Sequence, residues 1–206
     1  MKRFSIFKKS TKFYWSNNRM LYPIIISCII IYFIRAEIFK TDFSSFDKFL
    51  MIIMITAFGI GIFLQIFRFA KPDPLRGELN GFITFNMDEI IADYSVFKLD
   101  EITKLEITND DYYGKGKGNS KGSFNSNLSN GVDNKLIILL NTGEKKNFYY
   151  ELYNSDDLQK VQDELINYNL KGKLDFQNLI DVLGITRDSE IQEFKNKIQK
   201  TFIQST

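Results

Sequence analysis

Residues 49–67 run for 19 positions without a charge, the strongest constraint this sequence places on its fold. As a helix they reach about 28 Å, close to the roughly 30 Å hydrocarbon core of a bilayer. Lys48 and Arg68 bracket the run. A chain of 206 residues has too little surface to bury such a helix on every side, so the run reads as a membrane crossing. A second run, 20–34, has 15 uncharged residues between Arg19 and Arg35 and spans about 22 Å. Extending it to Phe39 admits Arg35 and Glu37 at the boundary, where arginine snorkels. Pro23 is expected in the first turn of this helix, where it costs little. Residues 20–70 are therefore read as a transmembrane hairpin. Ile25-Ile26-Ser27-Cys28 loosely matches a lipoprotein cleavage site with lipid added at Cys28. Only seven uncharged residues precede it and the apolar run continues beyond, so Cys28 reads better as a helix-packing or lipid-facing thiol.

Charge divides the chain in the same place. Residues 1–76 hold 12 basic and 4 acidic side chains, and 77–206 hold 15 and 21, so the overall +2 is a basic membrane end balanced by an acidic remainder. Lys and Arg number six before the first run, three between the runs and three just after the second. The positive-inside rule then places both termini in the cytoplasm. Residues 1–19 read as a basic, aromatic cytoplasmic tail, with Phe13, Tyr14 and Trp15 suited to a membrane interface.

Lys71-Pro72-Asp73-Pro74 ends the second helix and opens a short stiff linker, 71–77. Beyond it the hydrophobic period changes from helical to alternating. Strands are expected at 79–85, 89–92, 95–99, 102–108, 135–140 and 146–152, with Asn141-Thr142-Gly143-Glu144 as a hairpin turn. In 102–108, Ile102, Lys104, Glu106 and Thr108 should share one face, and Thr103, Leu105 and Ile107 the other. Helices are expected after Ser155, over 175–183 with Gly184 as its stop, and after Thr186 or Asp188.

Few residues suggest chemistry. With no histidine, Ser-His-Asp and Cys-His catalysis and His-ligated zinc or haem are excluded. One cysteine excludes an intrachain disulfide framework. Residues 110–131 contain five glycines among Asn, Ser and Lys, which predicts a long mobile loop. Its Lys115, Lys117 and Lys121 suggest contact with anions or lipid headgroups, although the spacing is not that of a Walker loop. Asn109-Asp110-Asp111 lacks the register of a Ca²⁺ loop and reads as strand-end turn chemistry. Ile191, Phe194, Ile198 and Phe202 form an apolar stripe on the last helix, suited either to the domain core or to a partner. Gly59 and Gly61 do not make a GxxxG motif. No catalytic residue, metal site or cofactor is assigned, and the acidic balance of the second part argues against nucleic acid.

Gly81-Phe82-Ile83-Thr84-Phe85, Leu99-Asp100-Glu101-Ile102 and Asn134-Lys135-Leu136-Ile137-Ile138 resemble segments of bacterial two-helix membrane proteins that carry a pleckstrin-homology-like domain. The resemblance covers about residues 78–168 and implies an α+β membrane protein: a transmembrane hairpin followed by an antiparallel β-barrel or sheet capped by a helix. The chain departs from that pattern in showing about six strands instead of seven, and in additional C-terminal helices over 169–206. The implied role is a non-enzymatic, membrane-anchored binding or scaffold module at the cytoplasmic face of the inner membrane. Its partners would be the bilayer and a protein or a second copy of the chain. The alternatives are an accessory subunit of a larger membrane complex and, further off, a hydrolase working through carboxylates.

Overall fold

The computed structural model describes residues 2–40, 42–67, 70–118 and 125–205, with side chains except at 17 and 200–205. Two compact units divide it. Met1–Ser10, Leu75–Lys115 and Ser129–Thr206 make one, and Thr11–Pro74 with Gly116–Leu128 makes the other.

The second unit is built on a helical hairpin. Helix α1 (Asn17–Phe33) starts at Ser16, whose Oγ accepts from the Arg19 N–H at 3.3 Å. This cap lies upstream of the expected start. Pro23 therefore sits inside the helix instead of in its first turn, where it offers no N–H to the backbone ladder. The helix continues as a π-helical turn, Ile34–Ile38. After a short connection α2 (Ser45–Phe67) returns along α1. The spans Asn18–Ile38 and Ser45–Phe67 are both long and apolar enough to cross a membrane. Leu21 and Cys28 on α1, and Leu50, Ala57 and Gly61 on α2, are buried, while Ile29, Ile30, Ile52, Ile55, Phe58 and Phe63 are exposed.

One ion pair ties the turn of the hairpin. Arg35 reaches both carboxylate oxygens of Asp47, Nε to Oδ1 at 2.9 Å and Nη2 to Oδ2 at 3.3 Å. Ser44 donates its N–H and its hydroxyl to the same Oδ2, each at 2.8 Å. The Arg35 guanidinium also lies 5.0 Å from the centre of the Phe46 ring. Asp47, although charged, is only 4% exposed because every contact it loses with water is replaced.

The first unit is a sheet with helices on its open face. Strands β1 (Arg3–Lys9), β2 (Gly77–Phe85), β3 (Glu89–Ala92), β4 (Ser95–Lys98) and β5 (Ile102–Ile107) come first along the chain. A two-stranded ribbon, β6 (Tyr113–Gly116) with β7 (Leu128–Asn130), interrupts them before β8 (Asn134–Leu140) and β9 (Lys145–Tyr150). The large sheet has seven strands in the order β4-β3-β2-β1-β9-β8-β5, paired antiparallel throughout. Its end strands β4 and β5 do not pair, so it is an open sheet and not a closed barrel.

The segment expected to be a tail is thus a strand, and a central one. In β1, Phe4 pairs with Ile83 and Ile6 with Tyr150. Phe4 and Ile6 are buried, and Phe4 meets the Phe85 and Tyr150 rings edge-on at 5.7 and 6.0 Å. The ladder closes where the Ser10 N–H donates to the Arg76 carbonyl at 3.0 Å. Beside it Gly77 backs so closely onto the Lys8 carbonyl and the Phe7 ring that a side chain has no room.

A second correction concerns β5. A register shift between Ile102 and Lys104 puts Ile102 on the same side as Leu105 and Ile107, and all three are buried. One extra residue in the strand reverses the alternation upstream of it. The outer edge of β5 is covered by the chain itself. The Leu105 N–H donates to the Lys173 carbonyl at 2.7 Å. The Asn178 side chain accepts from the Ile107 N–H and donates to its carbonyl, at 2.9 and 2.7 Å, standing in for a neighbouring strand.

Helices α3 (Gln162–Leu170), α4 (Phe176–Leu183) and α5 (Asp188–Ser205) supply the rest of the core. Leu165 and Tyr168 of α3, Leu179, Ile180 and Leu183 of α4, and Phe194 and Ile198 of α5 join the sheet residues in one cluster. The C-terminal helices are part of this core and not an addition to it. Gly184 ends α4 at a φ of 70°, as expected for a helix stop. Ser155 does not begin a helix directly, because a 3₁₀ turn, Asp157–Val161, precedes α3.

Candidate functional site

Two of the three loop lysines, Lys115 and Lys117, lie among the described residues. Lys115 turns back, its Nζ donating to the Asp110 carbonyl and lying 5.8 Å from the Tyr112 ring centre. Lys117 follows the end of β6, its N–H donating to the Asn127 carbonyl. Lys121 lies outside the described residues.

The apolar stripe on α5 is turned to the chain's own core. Phe194 and Ile198 are buried, Ile191 packs against the cluster, and Phe194 stacks on Phe176 at 6.5 Å. The Phe202 side chain lies outside those described. A partner reading for Ile191, Phe194 and Ile198 gives way to packing.

Asp111 has a structural occupation. It is 6% exposed, and its Oδ2 accepts from the Ser129 hydroxyl at 2.6 Å and from the Asp133 N–H at 3.1 Å. Asn134, fully buried, accepts from the Asp111 N–H at 2.9 Å and donates to the carbonyls of Asp111 and Gly131 at 2.8 and 3.0 Å. Gly131 turns through a φ of 74°, with the Leu152 carbonyl and the Tyr113 N–H where a Cβ would have to sit, so only glycine fits. These bonds tie the β6–β7 ribbon to the sheet. Among the described residues no three His, Cys, Asp or Glu side chains stand close enough together to hold a metal ion.

Asp157 holds a second buried charge. Burial disfavours its ionised form, but the Lys160 ammonium at 2.6 Å, the N–H groups of Asn154 and Tyr153, and the charge of Lys2 outweigh it. Its carboxyl is consequently held well below the usual carboxylate range. Lys2 belongs to the N-terminal segment, so this pair also pins the entry to β1. The Tyr150 and Tyr168 hydroxyls are pushed well above the ordinary tyrosine range, chiefly by burial. Each donates to a carbonyl, Tyr150 to Thr108 at 2.6 Å and Tyr168 to Asn86 at 2.5 Å.

Sequence reasoning did not find one cleft. A space of about 660 Å³ is lined by Asp88, Glu89, Lys98, Leu99, Asp100, Lys171 and Lys173. Lys171 pairs with Asp88 at 2.8 Å, and Lys173 donates to the Ile102 carbonyl at 2.6 Å. Three acids and three bases from distant parts of the chain meet here, and no local motif announces them.

The end of the hairpin where α1 begins and α2 finishes is more distinctive. Phe13 and Trp15 are exposed and meet edge-on at 5.4 Å, with the Arg19 guanidinium 5.6 Å from the Phe13 ring centre. At the same end, Ser126 of the glycine-rich loop donates its N–H to Asp73 Oδ1 at 3.0 Å and its hydroxyl to the Lys71 carbonyl at 2.6 Å. The loop therefore returns to the linker that follows α2. Compared with known proteins, the chain matches no family model, no curated protein and no solved structure.

Proposed function

We propose that this chain is a membrane-anchored binding or scaffold module without catalytic activity, presenting a pleckstrin-homology-like domain at the cytoplasmic face of a bacterial inner membrane. The observation that carries the reading is the place of β1. It precedes the hairpin in the chain yet pairs with β2 and β9, which follow it. A chain whose two apolar helices cross a bilayer must then leave and re-enter the sheet on one side, as an even number of crossings requires. The exposed apolar faces of α1 and α2 need a cover that lipid provides. The excess of Lys and Arg at the sheet end favours the cytoplasmic side. The pleckstrin-homology likeness draws support from the seven-stranded count, the two antiparallel meanders β1–β4 and β5-β8-β9, and the helix packed behind them.

The test is topology. In a Cys28→Ser background, single cysteines at 42, 120 and 206 are treated in whole cells with an impermeant maleimide. Position 42 should label, and 120 and 206 only after the membrane is opened. Labelling of 120 and 206 in intact cells would overturn the cytoplasmic reading.

A further inference from the structure

We infer that the sheet end of the hairpin is a basic, aromatic collar that gathers anionic lipid headgroups around the protein. The inference deepens the membrane reading and rests on it.

Three features of one unit meet at that end. The first is charge. Among the described residues of 11–19, 70–74 and 116–128, four basic side chains, Lys12, Arg19, Lys71 and Lys117, stand against a single acid, Asp73. That acid accepts the Ser126 N–H. At the opposite end of the hairpin Arg35, Lys40 and Lys48 are balanced by Glu37, Asp42 and Asp47, and the Arg35–Asp47 pair is closed on itself. Only one end thus carries a net charge for a surface to read. The second is the aromatic pair Phe13 and Trp15, 69% and 60% exposed one turn before α1. The amphipathic Trp15 indole beside the start of an apolar helix suits the headgroup level, where one side is wet and the other apolar, and the Phe13 ring adds apolar surface next to it. The third is the loop. The two bonds from Ser126 hold its returning end against residues 71 and 73, directly after α2. The loop that carries Lys117 is thereby fastened at headgroup height, independently of sequence distance.

A zwitterionic lipid offers this collar no net attraction, whereas an anionic one does. The local mole fraction of anionic lipid around the protein should therefore exceed that of the bulk bilayer. Trp15 is the one tryptophan of the chain, so it reports from within the collar. The full chain is reconstituted in phosphatidylcholine vesicles with about one-third phosphatidylglycerol, bromine being placed high on the acyl chains of one lipid or the other. Trp15 fluorescence should be quenched about twofold more per mole by brominated phosphatidylglycerol than by brominated phosphatidylcholine. In Lys12→Gln/Arg19→Gln/Lys71→Gln/Lys117→Gln the two should become equal, while Lys40→Gln/Lys48→Gln should keep the difference. Circular dichroism establishes that each variant is folded. Equal quenching in the unaltered chain, or a difference that survives the fourfold variant, would overturn the collar and leave the crossings intact. Absence of quenching by both lipids would overturn the membrane reading itself.

Discussion

At the scale of single residues, the buried carboxylates among the described residues are each answered by other parts of the chain. Asp157 is the clearest case, a buried carboxylate answered by Lys160, two backbone N–H groups and Lys2. Its folded-state carboxyl titrates below the unfolded one. The stability it contributes is complete above about pH 5 and is lost as the pH falls through the carboxylate range toward its folded value. Asp157→Asn should lower the thermal midpoint in detergent at pH 7 and narrow its deficit at pH 3. An equal deficit at both pH values would show that the charge is not what matters. In the sequence Asp157 is only one of two acids that follow Ser155, where a helix is expected. The partners that define Asp157 lie at positions 2 and 153–160, and Lys2 is legible only once β1 is known to be a strand.

At the scale of elements, the hairpin was readable from its uncharged runs and the core helices from periodicity, while β1, β6 and β7 were not and β5 was found with its phase wrong. The Phe4-Ser5-Ile6 alternation is too short to stand out among Lys2, Arg3, Lys8 and Lys9, and it precedes a membrane run that invites a tail. What makes it a strand is the pair of open edges of β2 and β9, which no local signal encodes. In β5 a bulge shifted the phase, and the strict period of two misplaced Ile102. The turn of the hairpin carries its own prediction. Asp47→Leu leaves Arg35 without its counter-charge and should reduce the yield of membrane-inserted protein severalfold, less than an arginine at mid-bilayer would, because Arg35 lies near the end of its span. Arg35→Leu/Asp47→Leu should restore most of it, as paired charges are often replaceable by apolar side chains. Sodium carbonate extraction followed by immunoblotting measures both, and a double variant as poor as the single one would sink the pairing argument.

At the scale of the whole molecule, the hairpin is an insertion between two hydrogen-bonded neighbours of one sheet. Ser10 and Arg76 still meet across it. Replacing residues 11–75 by a short glycine-containing turn should give a water-soluble protein with a cooperative thermal transition. The fragment 71–206, which a boundary drawn after the second helix would suggest, should not fold. It loses Phe4 and Ile6 from the core and exposes the edges of β2 and β9, a deficit of several kcal/mol against the 5–15 typical of an entire domain. Amide dispersion in NMR spectra decides between them, and a well-dispersed fragment would refute the role given to β1. The location of β1 also orders the biosynthesis of the chain. β1 leaves the ribosome before the hairpin and has no neighbour until the hairpin has been made, and its second partner, β9, emerges after all the other strands described. Insertion into the bilayer is therefore offered to the nascent chain before its sheet can be completed, and the domain is finished only by retrieving a segment translated ahead of the hairpin.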